Sequence, residues 1–179
     1  MRLKIVPLDP KAHDRGAFSC GNEAIDRYLR MTAAQAAQFF KSGTFVLVAE
    51  DDSREILGFY TLSQHGYRDG EIDATTAKFL KIDKLRVIPM ILLGQLGISQ
   101  EHQNKGLGKM LLWNSFERSF AISQAAGGVA LITDPYDDAA RQFYEKFDFQ
   151  LLHEKPYLRL ILAMRTIAEA LKAQTDCKK

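Results

Sequence analysis

Six residues, Gln103 to Gly108, combine the features of a phosphate-binding turn. They read Gln-Asn-Lys-Gly-Leu-Gly and lie between an apolar stretch and a long run of helix-forming residues. Glycine lets the backbone curl closely around a ligand, and the free N–H groups at a helix start attract negative charge. The pattern therefore predicts a phosphate site, although two glycines also occur in ordinary turns between a strand and a helix.

The segments around this turn predict a mixed α/β fold with one domain over residues 1–179. Residues 90–98 are almost continuously apolar, as in a central strand, and a helix is predicted over about 107–126, ended by Gly127 and Gly128. The strand after that helix should lie parallel to the strand before it. Residues 64–85 are expected to be the least regular part. The other predicted strands are 3–8, 44–50, 56–63, 129–133, 149–152 and 157–164, and the other helices are about 25–40, 73–81, a short one after Asp138, and 166–173.

Composition and charge exclude some classes of protein. The 179 residues are 46% hydrophobic and 26% charged, which is typical of a globular protein. No apolar run approaches the ~20 residues of a membrane span, and the N-terminus lacks the apolar core of a signal peptide. Cys20 and Cys177 are the only cysteines, so we expect a reduced, cytoplasmic protein. A net charge of +2 neither demands nor excludes a nucleic-acid partner.

The order of these segments resembles the GNAT superfamily of acetyl-CoA-dependent N-acetyltransferases. The turn resembles the Q-x-x-G-x-G pyrophosphate loop of that superfamily, and residues 139–149 (AARQFYEKFDF) resemble its A-x-x-F-Y-x-x-x-G-F segment. The resemblance covers roughly residues 45–164. It implies a single GNAT fold, in which the N-terminal part of the sheet is antiparallel and two parallel, splayed strands lie at its centre, with helices on the flanks.

Three further segments resemble the GNAT-fold toxins of bacterial toxin–antitoxin modules. They are residues 18–29 (FSCGNEAIDRYL), 57–63 (LGFYTLS) and 89–98 (PMILLGQLGI). This resemblance implies an enzyme that acetylates the α-amino group of aminoacyl-tRNA, blocks translation, and is neutralised by a ribbon-helix-helix antitoxin. Three residues depart from the patterns: Asp148 stands where glycine is usual, Gly97 replaces alanine, and Gln95 replaces a common arginine. Asp148 should tolerate the left-handed conformation of the usual glycine.

The resemblance places acetyl-CoA, and no metal, at the turn and at the strand before it. Backbone amides would cradle the pyrophosphate, and the strand edge would pair with pantetheine and hold the thioester oxygen. The residues implied are Leu96, Gly97, Ile98, Gln103, Asn104, Lys105, Gly106, Leu107, Gly108, Lys109 and Asp137. Tyr144 is implied as the general acid for the leaving thiolate, although its helical spacing with Phe143 and Phe147 alone would favour a core aromatic.

No strong general base stands out. An α-amino group with a pKa of about 7.7 to 8.0 needs none, because water can take its proton. Four candidate carboxylates are each better explained as turn, cap or surface residues: Glu50, Asp134, Asp137 and Asp138. The four histidines are scattered without metal-ligand spacing: His13, His65, His102 and His153.

A basic rim is the feature that would engage tRNA phosphates. On charge alone, a solvated surface balanced by nearby aspartates is the simpler interpretation, so the tRNA prediction rests on the resemblance. A homodimer also fits the fold. Two alternatives stay open: an acetyltransferase that acts on a small-molecule or protein amine, and a non-catalytic module that binds coenzyme A or a protein. The residues of the rim are Arg27, Arg30, Lys78, Lys81, Lys84 and Arg86.

Overall fold

A computed structural model of the chain describes residues 2–68, 70–82 and 85–176. The strands are β1 Leu3–Pro7, β2 Gly43–Ala49, β3 Gly58–Arg68, β4 Val87–Ile98, β5 Ala130–Thr133, β6 Gln150–His153 and β7 Arg159–Ala163. The helices are α1 Glu23–Arg27, α2 Ala33–Gln38, α3 Ala74–Leu80, α4 Leu107–Ala126, α5 Asp138–Glu145 and α6 Met164–Asp176. The strands form one seven-stranded sheet in the order β1-β2-β3-β4-β5-β7-β6, which confirms the predicted mixed α/β fold.

The pairing of β4 with β5 confirms the predicted parallel centre of the sheet. Their register runs from Ile91 opposite Leu131 to Leu93 opposite Thr133. β5 ends there, whereas β4 continues to Ile98. The pairs β1–β2, β2–β3, β5–β7 and β6–β7 are antiparallel. The end of β4 therefore runs past the end of its parallel neighbour.

The described residues fall into two compact units, one drawn from 1–63 and 94–115 and the other from 64–93 and 116–179. In the first unit, Phe18, Leu29, Val46 and Phe59 are among the residues that form a buried core. Burial of such side chains contributes about 1.5–3 kcal/mol each. Residues 18–29, the opening segment, are thus held by apolar packing as well as by polar groups.

Two polar side chains organise the opening segment of the first unit. Asn22 caps α1, because its Oδ1 accepts hydrogen bonds from the N–H groups of Ala24 and Ile25 at 3.0 and 3.4 Å. Asp26 is buried, and its carboxylate accepts from the N–H of Cys20 at 2.8 Å and from the hydroxyl of Ser19 at 3.0 Å. A buried carboxylate of this kind needs such donors, so these motif residues have a structural role.

The predicted single helix over about 25–40 is interrupted. Residues Tyr28–Thr32 form a π-helical turn between α1 and α2, in which the N–H of Ala33 bonds the carbonyl of Tyr28. The spacing of apolar residues does not distinguish this i+5 bonding from the i+4 bonding of an α-helix. The prediction of helical structure was correct, but that of one regular helix was wrong.

In the second unit, β3 continues to Arg68, although residues 64–85 were predicted to be irregular. Ser63, His65 and Tyr67 alternate with exposed residues and point inward. Tyr67 packs in a buried core with Met90, Ile132 and Ile161, among others. Because the inward residues are polar or amphipathic, a search for apolar alternation misses this part of the strand. Met164, predicted to end a strand, instead begins α6.

In the described part of the chain, no helix is both long enough and apolar enough to cross a bilayer.

Candidate functional site

The turn before α4 is anchored by the side chain of Gln103. Its Nε2 donates hydrogen bonds to the carbonyls of Ile98 at 3.1 Å and Cys20 at 2.9 Å. One amide group thereby joins the turn to the end of β4 and to the opening segment. Gln103 thus holds the turn in shape, and both donors of its side chain are already used.

The backbone of the turn has the conformation that its glycine predicts. Asn104 and Gly106 adopt positive φ angles of 60° and 79°. A Cβ added to Gly106 would meet nothing within 4 Å, so glycine is needed here for the backbone angle and not for space.

The N–H groups at the start of α4 are available for an anion. The first backbone bond of this helix runs from the N–H of Met110 to the carbonyl of Gly106 at 3.3 Å. The N–H groups of Leu107, Gly108 and Lys109 therefore belong to the first turn, where no helical acceptor precedes them. Lys105 folds back, and its Nζ donates to the carbonyl of Glu101 at 2.8 Å. This arrangement can bind a phosphate through backbone groups.

Gly97, near the end of β4, is explained by packing within the protein. A Cβ at this position would lie 3.1 Å from Ile25 Cγ2, 3.4 Å from Cys20 Sγ and 3.4 Å from Phe59 Cε1. The neighbouring residues thus supply a reason for glycine at this position. Its neighbours Leu96 and Ile98 are half-buried.

Tyr144 lies on α5 in the second unit and is only 6% exposed. Its ring packs against Phe143 and Phe149, with both centroids 5.3 Å away. Its hydroxyl is hydrogen-bonded to the side chain of Thr133, whose Oγ1 donates to the carbonyl of Leu93 at 3.0 Å.

Burial raises the pKa of Tyr144 to about 12, and the hydrogen bond with Thr133 offsets part of that effect. The hydroxyl is therefore protonated at neutral pH, as a proton donor must be. The packing confirms that Tyr144 is a core aromatic, and its role as general acid stays a prediction.

Two aspartates near Tyr144 have structural roles. Asp137 caps α5, since its Oδ1 accepts from the N–H of Ala140 at 2.7 Å. Its place in a coenzyme site stays a prediction. Asp148 has a φ of 64°, which confirms that aspartate takes the left-handed conformation where the family pattern has glycine.

The predicted basic rim is distributed over both units. Arg27 and Arg30 lie in the first unit, where Arg30 Nη2 pairs with Glu23 Oε1 at 2.9 Å. In the second unit, Lys78 and Lys81 are exposed at the end of α3, and Arg86 is exposed before β4. Lys84 lies outside the described residues. The charge of Arg30 is thus partly compensated, whereas those of Lys78 and Lys81 face solvent.

Arg159 is the residue that sequence reasoning missed. It is 3% exposed, and its Nε and Nη2 donate to the two carboxylate oxygens of Asp134 at 2.6 and 2.7 Å. Its Nη1 donates to Tyr67 Oη and His65 Nε2, each at 2.9 Å. Burial lowers the pKa of His65, and the charge of Arg159 lowers it further. The available signal was that Arg159 is the one charged residue of the otherwise apolar segment 158–164 (LRLILAM).

This network changes the interpretation of Asp134, which was a candidate base. Both of its oxygens accept from the Arg159 guanidinium in a bidentate pair. Because the guanidinium occupies both oxygens, we assign Asp134 no role as a general base.

One trio among the described residues could reach a common metal ion. The ligand atoms of Glu55, Glu101 and His102 lie within 4.8 Å of one another. Both glutamates are exposed, and His102 Nε2 lies 3.4 Å from Glu55 Oε1. We assign this surface group no catalytic role.

Comparison with known proteins identifies relatives along most of the chain. Residues 41–151 match the acetyltransferase (GNAT) domain family. A probable toxin TacT from Sinorhizobium fredii is 27% identical over 174 residues, which cover 91% of this chain and 92% of that protein. A tRNA-acetylating toxin from Mycobacterium tuberculosis is 30% identical over 154 residues, which cover 86% of this chain and 88% of that protein.

Several solved structures share the fold. A tyrosine-to-phenylalanine variant of KacT has a TM-score of 0.85 and 24% identity, covering 95% of this chain and 99% of that one. AtaT complexed with acetyl-methionyl-tRNAfMet has a TM-score of 0.83 and 22% identity, covering 95% and 99%. A tyrosine-to-phenylalanine variant of AtaT, bound to the C-terminus of the antitoxin AtaR and to acetyl-CoA, has a TM-score of 0.80 and 22% identity, covering 94% and 98%.

The raised pKa of Tyr144 predicts how stability depends on alkaline pH. Between the ordinary tyrosine pKa of 10 and the folded value of about 12, the unfolded chain loses the Tyr144 proton while the folded protein keeps it. The wild-type free energy of unfolding should therefore fall in this window by up to about 1.4 kcal/mol per pH unit more than that of Tyr144→Phe. Urea denaturation from pH 8 to pH 11.5 measures this. A constant difference between the two proteins across that range would show that Tyr144 titrates normally.

Proposed function

Because the chain belongs to the GNAT acetyltransferase family, we propose that it transfers an acetyl group from acetyl-CoA to the α-amino group of aminoacyl-tRNA and thereby inhibits translation. The observation that carries this proposal is the similarity to a tRNA-acetylating toxin over most of both chains. That similarity extends beyond residues 41–151, which match the acetyltransferase domain, so it includes more than the part common to the family.

The turn before α4 is the proposed site for the pyrophosphate of acetyl-CoA. The N–H groups of Leu107, Gly108 and Lys109 and the positive end of the helix dipole would bind its oxygens. Asn104 and Gly106 shape the backbone, and Gln103 fixes it to β4. The Lys109 ammonium adds positive charge at the same end of the helix. The end of β4, from Leu96 to Ile98, is proposed to pair with pantetheine.

Tyr144 is the proposed proton donor. When the amine attacks the thioester carbonyl, a C–N bond forms, the C–S bond breaks, and the electron pair leaves with sulfur. The Tyr144 hydroxyl would donate a hydrogen bond to that sulfur and deliver a proton to it. Water takes the proton that the amine loses, since the carboxylate of Asp134 is occupied by Arg159, and water also returns a proton to the Tyr144 phenolate.

The proposed partners follow from the relatives. AtaT is bound to its antitoxin AtaR, so we propose a cognate antitoxin of the ribbon-helix-helix class for this chain, together with a homodimer and a cytoplasmic location. Light scattering on the purified protein tests the dimer. Co-expression with the product of a neighbouring gene tests the antitoxin, since restored translation is the required result.

Mass spectrometry of charged tRNA tests the proposed activity. Incubation of the protein with acetyl-CoA and a mixture of aminoacyl-tRNAs should give an N-acetylaminoacyl product on at least one tRNA. A parallel screen uses free amines and peptides as acceptors. Acetylation of those alone would establish an acetyltransferase with another acceptor, and thioester consumption with no acceptor at all would point to a binding module.

Tyr144→Phe should slow acetyl transfer by about 100- to 10,000-fold, because it removes the proton donor and keeps the packed ring. Acetyl-CoA affinity, measured by calorimetry, should stay close to that of the wild type. Tyr136→Phe is the matched control, since it removes a tyrosine hydroxyl from a 69% exposed residue of the same unit. Transfer by Tyr144→Phe at the wild-type rate would exclude the assigned role.

Gly106→Ala should weaken acetyl-CoA binding about tenfold, which corresponds to about 1.4 kcal/mol, because alanine strains the backbone that presents the N–H groups. Gly70→Ala is its matched control. Gly70 has a φ of 85°, Gly106 has one of 79°, and an added Cβ meets nothing within 4 Å at either position. If calorimetry shows that the two variants bind acetyl-CoA with equal affinity, the turn is not part of the coenzyme site.

A further inference from the structure

The polar network around Arg159 has a defined direction. An arginine side chain only donates hydrogen bonds, so Tyr67 Oη accepts from Arg159 Nη1 at 2.9 Å. The Tyr67 proton is then free to go to His153 Nε2, which lies 3.1 Å from the hydroxyl oxygen. With Nε2 as acceptor, the neutral His153 ring carries its proton on Nδ1 and donates it to the carbonyl of Tyr157 at 3.1 Å.

This chain of donors ends on the loop between β6 and β7. It fixes the backbone of Tyr157 from one side, while the guanidinium of Arg159 fixes the ring from another. The Cζ atom of Arg159 lies 4.9 Å from the centroid of the Tyr157 ring, and the His153 ring meets it edge-on at 5.8 Å. The Tyr157 ring is therefore held by two residues of the same network, Arg159 and His153.

Tyr157 is nevertheless 48% exposed. Arg159 covers one face of its ring, so the exposed area lies on the remainder of the side chain. A half-exposed ring buries little apolar surface, so apolar packing does not explain why a buried polar network holds this ring in place. It is the arrangement of a surface that stacks a flat ligand.

We propose that the open face of Tyr157 stacks a base of the single-stranded 3′ end of the tRNA acceptor, with Arg159 and Tyr67 as positioning residues. The substrate class rests on the proposed function. An aromatic side chain can stack on any base, so this contact does not depend on which tRNA is bound. The carboxylate of Asp134 is neutralised by Arg159, so the network does not repel a polyanion.

The position of the network in the chain supports a role beside the chemistry. Asp134, its acidic member, directly follows Thr133, whose side chain is hydrogen-bonded to the Tyr144 hydroxyl. The ester that carries the reactive amine is attached to the terminal nucleotide of a charged tRNA. The last bases of the tRNA must therefore lie within a few ångströms of the groups that act on the amine.

A second aromatic ring of this unit provides a matched control. Phe79, on α3, is 37% exposed and is also stacked on an arginine, with Arg165 Cζ 4.5 Å from its centroid. It lies outside the network that contains Asp134. Phe79→Ala thus removes the same kind of aromatic–arginine stack without touching the proposed surface.

The direct test is equilibrium binding of a fluorescently labelled single-stranded hexaribonucleotide that ends in CCA, measured by anisotropy. Tyr157→Ala should raise its Kd roughly 5- to 150-fold, the range for one stacked base. Tyr157→Phe and Phe79→Ala should bind as the wild type does. Steady-state kinetics with charged tRNA should show the loss in KM, with kcat little changed, and acetylation of a nucleotide-free amino acid ester should be unaffected.

Tyr67→Phe tests the positioning role, because it removes the hydroxyl that links Arg159 to His153 and keeps the ring. It should raise the Kd of the hexaribonucleotide a few fold, and it should add nothing in a Tyr157→Ala background. Thermal melting verifies that each variant is folded. Tyr157→Phe separates loss of the ring from loss of the hydroxyl.

The outcomes separate this inference from the proposed function. Failure of the wild type to bind the hexaribonucleotide overturns the stacking surface, as does an equal loss of binding in Tyr157→Ala and Phe79→Ala. Acetylation of charged tRNA can still hold in those cases. Conversely, RNA binding that depends on Tyr157, with no acetylation of any charged tRNA, would refute the proposed function and leave the surface in place.

Discussion

The side-chain amide of Gln103 fixes the geometry on which the proposed coenzyme site depends. It bonds the carbonyls of Ile98 and Cys20, so the turn, the end of β4 and the opening segment move together. The carbonyl of Cys20 is in turn positioned by Asp26, which accepts from the N–H of the same residue. Residues from two distant motifs of the sequence thus form one hydrogen-bonded assembly, which explains why both motifs occur in the same chain.

In the second unit, two successive residues at the end of β5 make polar contacts. Thr133, the last residue of the strand, is hydrogen-bonded to the Tyr144 hydroxyl, and Asp134, the residue after it, pairs with Arg159. Burying the Arg159 charge costs free energy, which the bidentate pair and the bonds to Tyr67 and His65 offset. Apolar side chains could stabilise the strand without this cost. We therefore infer that the role of the Arg159 charge is to orient the polar groups around it.

The sequence predicted the turn, α4 and the parallel strands because glycine spacing and long apolar runs act locally. Asp148 was also predictable, since few residues take its backbone angle. The Arg159 network was not, because its members come from three separate strands and a turn, and none has a periodic signal. Two of these residues, His65 and Tyr67, also lie in the part of β3 that the sequence analysis did not predict as a strand. Gly97 shows a third limit: a glycine in a strand indicates close approach, but only the structure shows that the approaching group is the opening segment.

The environment of Tyr144 constrains when its proton can move. A pKa of about 12 lies well above the value of ~8.5 for a thiol, so full transfer to a thiolate is unfavourable in the free protein. The hydroxyl can still stabilise the growing negative charge on sulfur by a hydrogen bond, which needs no transfer until the C–S bond is largely broken. Burial therefore makes Tyr144 a weaker acid than an ordinary tyrosine. Its proposed contribution is the hydrogen bond that stabilises the leaving sulfur before any proton is transferred.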